Sequence, residues 1–271
     1  MGSADDTVPS STRSGSARVA PWAELVLAPN PGPMTLDGTN SYVLRAPGAS
    51  GCVVVDPGPL DEGHLARLAA SGRVELVLLT HHHADHSDAL RAFAAMTGAP
   101  ARAIDAAWCT DAPPLADGER LRVAGLDLEV LATPGHTADS LCVRVVGDDD
   151  ATLGVLTGDT VLGRGTTIIA DPDGALGPYL ASLARLRDLG AGSAVPVLPG
   201  HGPVLPDLRA ICDAYLAHRE ERLAQVRAAL DVLGSDASAE AVADAVYGDV
   251  DPAVRYAAEA SVRAQLAYLR G

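Results

Sequence analysis

Thr80-His81-His82-His83-Ala84-Asp85-His86 follows directly on the apolar run 74–79. A strand that ends in such a loop presents four imidazoles and one carboxylate within six residues, which suits a metal far better than a hydrophobic core. A purification tag or a solvated polar loop is the plainer alternative. A tag is terminal and unbroken, however, whereas this run is internal and interrupted by Ala84-Asp85. Three further places repeat the pattern of an apolar strand delivering a ligand-type residue. The run 126–132 leads into Thr133-Pro134-Gly135-His136, the run 153–156 into Thr157-Gly158-Asp159, and the run 195–198 into Pro199-Gly200-His201. One such His or Asp alone would usually be structural; four strand-end sites in one chain point to a common centre. Seven donors (His81, His83, Asp85, His86, His136, Asp159 and His201) exceed what a single tetrahedral zinc accepts, so two metals are expected.

Around these sites the chain from Trp22 to about Pro206 alternates Val- and Leu-rich runs, such as 42–44, 52–55 and 141–146, with Gly/Pro turns. Helical spacing appears at 61–70, 87–96 and 176–189, with Gly98 and Gly190 placed as stops. This predicts a mixed α/β layered fold. After Pro206 strand signals cease, and 208–233, 239–246 and 252–269 read as helices, with Ser238 and Asp251 as N-caps. The expected organisation is a disordered leader over 1–21, a catalytic domain over 22–205 and a small C-terminal helical, winged-helix-like domain over 206–271. The leader is rich in Ser, Gly, Thr and Asp and lacks the apolar stretch of a signal peptide.

The 271 residues carry 20 basic side chains, all of them Arg, against 35 acidic ones, for a net charge of −15. Without lysine there is no Schiff-base or P-loop lysine chemistry. The acidity excludes a general nucleic-acid coat, and 206–271, with 7 Arg against 11 acids, has no nucleic-acid footprint. Aromatics make up only 3%, so the core must be aliphatic. Cys52, Cys109, Cys142 and Cys212 lie far apart and read as small hydrophobes in a reducing compartment. No apolar run approaches the roughly 20 residues of a membrane span, and a cytoplasmic protein without a membrane partner is expected.

The pattern His81-x-His83-x-Asp85-His86, then His136, Asp159 and His201, resembles the metallo-β-lactamase superfamily over most of 22–205, including Val55-Asp56-Pro57-Gly58. The resemblance implies an αββα sandwich holding two metals at its strand ends. It places His81, His83 and His136 around the first metal, Asp85, His86 and His201 around the second, and Asp159 between them. Asp56 would steady the ligand loop, His82 falls at a variable position, and zinc is the implied metal, with iron or manganese as alternatives. Within the superfamily, β-lactamases of the cysteine-ligand type place a Cys where Asp159 stands, and the remaining β-lactamase class lacks that bridging Asp. The β-CASP nucleases insert a domain into the step from Asp159 to His201, which here spans only 42 residues. The glyoxalase II-like group remains, including the branch of β-lactamase-like protein two, an endoribonuclease in animals. Asn30-Pro31-Gly32-Pro33-Met34-Thr35-Leu36-Asp37-Gly38-Thr39-Asn40-Ser41-Tyr42, Gly165-Thr166-Thr167 and Tyr215-x-x-His218-Arg219-x-x-Arg222 are similar to that branch.

The expected activity is therefore that of a dinuclear zinc hydrolase. A metal-bound hydroxide, available because coordination lowers the pKa of water from ~16 to about 7, would act on a small ester, thioester or related substrate. Asp85 and Asp159 are the candidate proton carriers. Asn40, Thr167, Arg219 and Arg222 are candidates for substrate binding, the two Arg for an anionic group. Tyr215, His218 and Arg219 read equally well as an interdomain hydrogen-bonding cluster, and His64 reads as exposed. Four alternatives stay open: an endoribonuclease acting on single-stranded RNA, a β-lactamase-type amide hydrolase, a non-catalytic metal-holding domain, and iron-based oxygen chemistry, which the resemblance to persulfide dioxygenases implies.

Overall fold

Strand alternation sets the layers. In β4 (Gly51–Val55), Val53 and Val55 point into one core and Cys52 and Val54 into another, as successive side chains of a strand must. The computed structural model describes residues 15–248 and 255–271. It forms one sheet from β1 (Ser16–Ala20), β2 (Ala23–Leu27), β3 (Asn40–Leu44), β4, β5 (Arg73–Leu78) and β6 (Ala101–Arg102), in that order. A second sheet runs in the order β11 (Val197–Pro199), β10 (Thr152–Gly158), β9 (Leu141–Val146), β8 (Leu126–Ala132) and β7 (Arg120–Val123). Between the sheets lie Tyr42, Leu44, Val53, Leu78, Leu128, Val143 and Leu156.

Helices cover both outer faces. On the first sheet, Leu68 of α1 (Glu62–Ala70) and Phe93 of α3 (Leu90–Thr97) pack with Val54 and Val77. On the second, Tyr179 and Leu183 of α4 (Leu176–Leu189) and Cys212 of α5 (Leu208–Leu233) pack with Cys142 and Val155. The result is an αββα sandwich with an aliphatic core. The C-terminal half of α5 joins α6 (Ala239–Tyr247) and α7 (Arg255–Arg270) in a smaller core of Val226, Val242, Val262 and Leu266. Among the described residues 206–271 hold no named strand. Ser238 caps α6 by accepting from the Ala241 amide at 3.2 Å, while Asp251 lies outside the described residues.

Three local expectations change. Residues 16–20, assigned to the leader, form the edge strand β1, paired antiparallel with β2; 1–14 lie outside the described residues. The helical signal at 87–96 resolves into a short helix α2 (Ala84–Ser87), which carries Asp85 and His86, and α3 from Leu90. His64 is fully buried rather than exposed. Asp61 caps α1 by accepting from the His64 amide at 2.7 Å, and the imidazole points inward, its Nε2 2.8 Å from Ser41 Oγ.

Direction decides where the site forms. β8 and β10 both run antiparallel to β9, and β11 runs parallel to β10, so the segments after 132, 158 and 199 leave the sheet at one edge. β4 and β5 are parallel, and they deliver Asp56 and residues 80–86 together.

Candidate metal centre

The four strand-end segments converge. Ligand atoms of His81, His83 and His136 lie within 4.8 Å of one another, and so do those of Asp85, His86 and His201. Asp159 faces both groups: Oδ1 is 3.4 Å from His86 Nε2, and Oδ2 is 3.4 Å from His201 Nε2 and 3.8 Å from His136 Nε2. Gly200 lets the groups close in, since a Cβ there would sit 2.5 Å from Asp159 Oδ1 and 2.8 Å from His86 Cε1.

Hydrogen bonds on the far side of each ring assign the tautomers. His86 Nδ1 donates to Asp56 Oδ2 (2.8 Å), His136 Nδ1 to the Ile168 carbonyl (2.9 Å) and His201 Nδ1 to the Gly38 carbonyl (3.1 Å). Thr80 Oγ1 spends its proton on Asp56 Oδ2 at 2.7 Å, so it accepts from His81 Nδ1 at 3.0 Å. In its neutral form each of these four rings therefore turns the lone pair of Nε2 inward. His86 Nε2 and His201 Nε2 meet at 3.2 Å, and His136 Nε2 and His83 Nδ1 at 3.0 Å. His81 Nε2 and Asp159 Oδ1 are buried with no hydrogen-bond partner. Facing lone pairs and orphaned buried acceptors are unfavourable unless cations share them, and imidazole with carboxylate is the donor chemistry of zinc and similar ions. The residues fit a two-metal group.

The electrostatics divide the rings: His81 and His83 favour the neutral form, whereas the surrounding acids favour a proton on His86 and His201, which a bound cation would replace. Burial holds His81 well below its usual range and His83 down at about 4. Burial also opposes charging at His201 and Asp159, but the Asp159 and Asp85 carboxylates outweigh it and push His201 up to about 9, while His86 and His201 hold Asp159 well below the carboxylate range.

Asp56 stands behind the centre at φ 52° and accepts from the Thr80 amide (2.8 Å), Thr80 Oγ1 and His86 Nδ1. Thr80 escaped the sequence reading, as did Asp139 and Asp173. His82 Nδ1 lies 2.8 Å from Asp139 Oδ1 and its Nε2 3.4 Å from Asp173 Oδ2. These acids sit in loops without periodicity, and only their proximity to His82 in space marks them.

The substrate candidates separate. The Asn40 amide donates to the Pro199 and Gly202 carbonyls, bracing the loop that carries His201. Thr167 Oγ1 donates to the Asp159 carbonyl at 2.7 Å. Arg219, 6% exposed, donates to the Thr167 carbonyl and lies over the Tyr179 ring, 5.2 Å from its centroid. Arg222 borders a cavity of about 260 Å³ with His218 and Tyr247. A second cavity, of about 210 Å³, opens on His136 and Asp159 and is walled by Met34, Leu36, Leu162 and Ile168. Residues 166–168 line both cavities. A larger groove of about 550 Å³ lies along 122–127 at the β7–β8 turn, away from the convergent donors. No helix among the described residues is long and apolar enough to cross a membrane.

Residues 34–201 match the Metallo-beta-lactamase superfamily. A beta-lactamase-like protein 2 homolog of Caenorhabditis elegans is 30% identical over 255 residues, covering 88% of this chain and 80% of the relative. An atrochrysone carboxyl ACP thioesterase of Aspergillus chevalieri is 33% identical over 222 residues, covering 79% and 67%. The crystal structure of a metallo-beta-lactamase family protein from Thermus thermophilus superposes with a TM-score of 0.74 at 26% identity, covering 93% of this chain and 94% of that one. The fold is thus shared along nearly the whole length, and the chain, whose own strand ends gather histidines and aspartates, belongs to the metallo-β-lactamase superfamily, as one of its hydrolases.

Proposed function

We propose that the chain is a dinuclear zinc hydrolase of a small ester or thioester. The observation that carries this reading is Asp159, one carboxylate facing two sets of inward-turned nitrogens. His81, His83 and His136 would hold one ion, Asp85, His86 and His201 the other, and Asp159 would touch both. A bound divalent pair supplies Lewis-acid polarisation of a carbonyl and activation of water at neutral pH. The chain's own residues supply the rest. Asp85 has a 28% exposed side chain against 12% for Asp159, so it has the solvent access that a proton carrier needs. It takes a proton from the attacking water and returns it to the leaving group. The 210 Å³ cavity beside His136 is small and apolar on one side, which suits a short acyl group. The thioesterase named among the relatives supports a thioester linkage.

Arg222 borders the 260 Å³ cavity that shares residues 166–168 with the cavity at His136 and Asp159, so an anionic group at the far end of the substrate would meet its guanidinium. RNA is the weaker reading, since the −15 charge offers no extended basic track. The test is elemental analysis of metal-replete protein, followed by a panel of thioester, ester, lactone, β-lactam and single-stranded RNA. Two equivalents of zinc with thioester or ester turnover are expected. One equivalent or fewer, or RNA cleavage outpacing both with a steep salt dependence, would overturn the reading.

A further inference from the structure

We propose that Arg219, on the C-terminal helix α5, is a positioning residue for the metal centre, and that docking of α5 and metal binding are thereby thermodynamically linked. The inference rests on the metal-binding reading above but not on any substrate.

The route is short and made of named bonds. Arg219 donates to the Thr167 carbonyl. The same Thr167 donates through Oγ1 to the Asp159 carbonyl at 2.7 Å, and the next residue, Ile168, accepts from His136 Nδ1 at 2.9 Å. The strap 165–168 therefore sets the backbone of the carboxylate that faces both groups, and it also sets the tautomer and orientation of one imidazole. Gly165, at φ +74°, starts the strap in a conformation that holds it by no side chain of its own. α5 grips the preceding turn as well: Tyr215 Oη accepts from the Leu162 amide at 3.0 Å, and Tyr179 Oη of α4 donates to the Thr160 carbonyl at 2.8 Å.

Burial makes the arrangement costly as mere packing. Arg219 is 6% exposed, and among the described residues no ion pair includes it. Its guanidinium donates to a carbonyl and lies against Tyr179, and among the described residues its Nε has no partner. Taking a cation out of water without a counter-charge costs several kcal/mol, and an apolar isostere often matches or exceeds the stability of the buried charge. A long apolar side chain would fill the same space against Tyr179. What it could not do is hold the Thr167 carbonyl.

The experiment is a Co²⁺ titration followed by visible absorption, run on the full chain and on Arg219→Met, Arg219→Lys and Thr167→Val. Hydrogen exchange of the α5 amides is measured with and without metal. Groups that orient metal-bound ligands typically change affinity about 10- to 100-fold when removed. We expect Arg219→Met to weaken Co²⁺ binding by at least about tenfold, with an altered ligand-field spectrum and no matching loss of melting temperature in the metal-free protein. Arg219→Lys should recover part of the affinity. By reciprocity, metal should slow exchange in α5 of the wild type, and less so in Arg219→Met. Wild-type Co²⁺ affinity and spectrum in Arg219→Met, or an α5 exchange rate indifferent to metal, would overturn the proposal. Should Arg219→Met fail to fold, Thr167→Val decides, because it keeps the carbonyl that Arg219 holds and removes the Oγ1 bonds to the Asp159 and Thr160 carbonyls through which the strap acts; unchanged affinity there overturns the proposal too. Failure of the wild type to bind two Co²⁺ would instead sink the two-metal reading itself.

Discussion

Asp56 faces three donors and offers them two oxygens. An amide in its place must turn an NH₂ toward at least one of them. Asp56→Asn should therefore lower zinc affinity about 10- to 100-fold while every ligand remains, as measured by competition with a chromophoric chelator. Asp159→Asn acts directly: it keeps the shape but removes the negative charge that faces both nitrogen sets. Bound zinc should fall from two equivalents toward one, and turnover should drop roughly hundredfold or more. Full rate at reduced metal content would contradict the bridging role. His64 makes a prediction about stability. Burial, followed by the nearby Arg67, depresses its pKa from 6.5 to about 4. Above pH 6.5 neither state binds the proton, but between 6.5 and 4 the unfolded chain takes up a proton that the folded chain refuses. Stability is thus present at neutral pH and is lost as pH falls through that window, by up to about 3 kcal/mol. In urea unfolding of the metal-free protein, His64→Gln should show a shallower fall between pH 7 and about 4.5 than the wild type.

Elements show where sequence reading succeeds. The ligand segments after β5, β10 and β11 follow strand ends buried on both faces, and such Val/Leu runs stand out against the polar residues they deliver, while β8, which leads to His136, alternates buried and half-buried residues. The helices α4 and α5 were legible from their spacing, and α4 also from Gly190 at its end, whereas the Asp207 cap of α5 was not singled out. β1 and β7 were not: both are short, partly exposed edge strands, stabilised by the neighbour they pair with rather than by their own composition. His64 misled for a related reason, because a position in the first turn behind a polar cap looks solvated until the sheet beside it is known. The hydrogen bonds from Asn40 and Thr167 to distant carbonyls carry no sequence signal at all. Packing and metal binding should also separate by element. Leu183 is fully buried between α4 and the second sheet. Leu183→Ala should cost about 2–5 kcal/mol in urea unfolding yet leave two metal equivalents bound, whereas loss of metal with that variant would mean that the helix layer and the site are not separable.

At the scale of the molecule, both sheets must be in place before the centre exists, because 81–86 comes from the first sheet and His136, Asp159 and His201 from the second. The donors are nevertheless unevenly spread along the chain, with four of the seven crowded into 81–86. That hexapeptide needs no tertiary structure to seize an ion. A metal present from the first moment of refolding will be captured there early, by a chain that still has the wrong partners to offer, and must be surrendered before the sandwich can close. Ions that bind the unfolded chain also give back part of the stabilisation they lend the native one. Order of addition then matters: refolding from urea with zinc already present should show a slow phase in tryptophan fluorescence that disappears when zinc is added after the chain has folded, and identical traces would show that early capture does not occur.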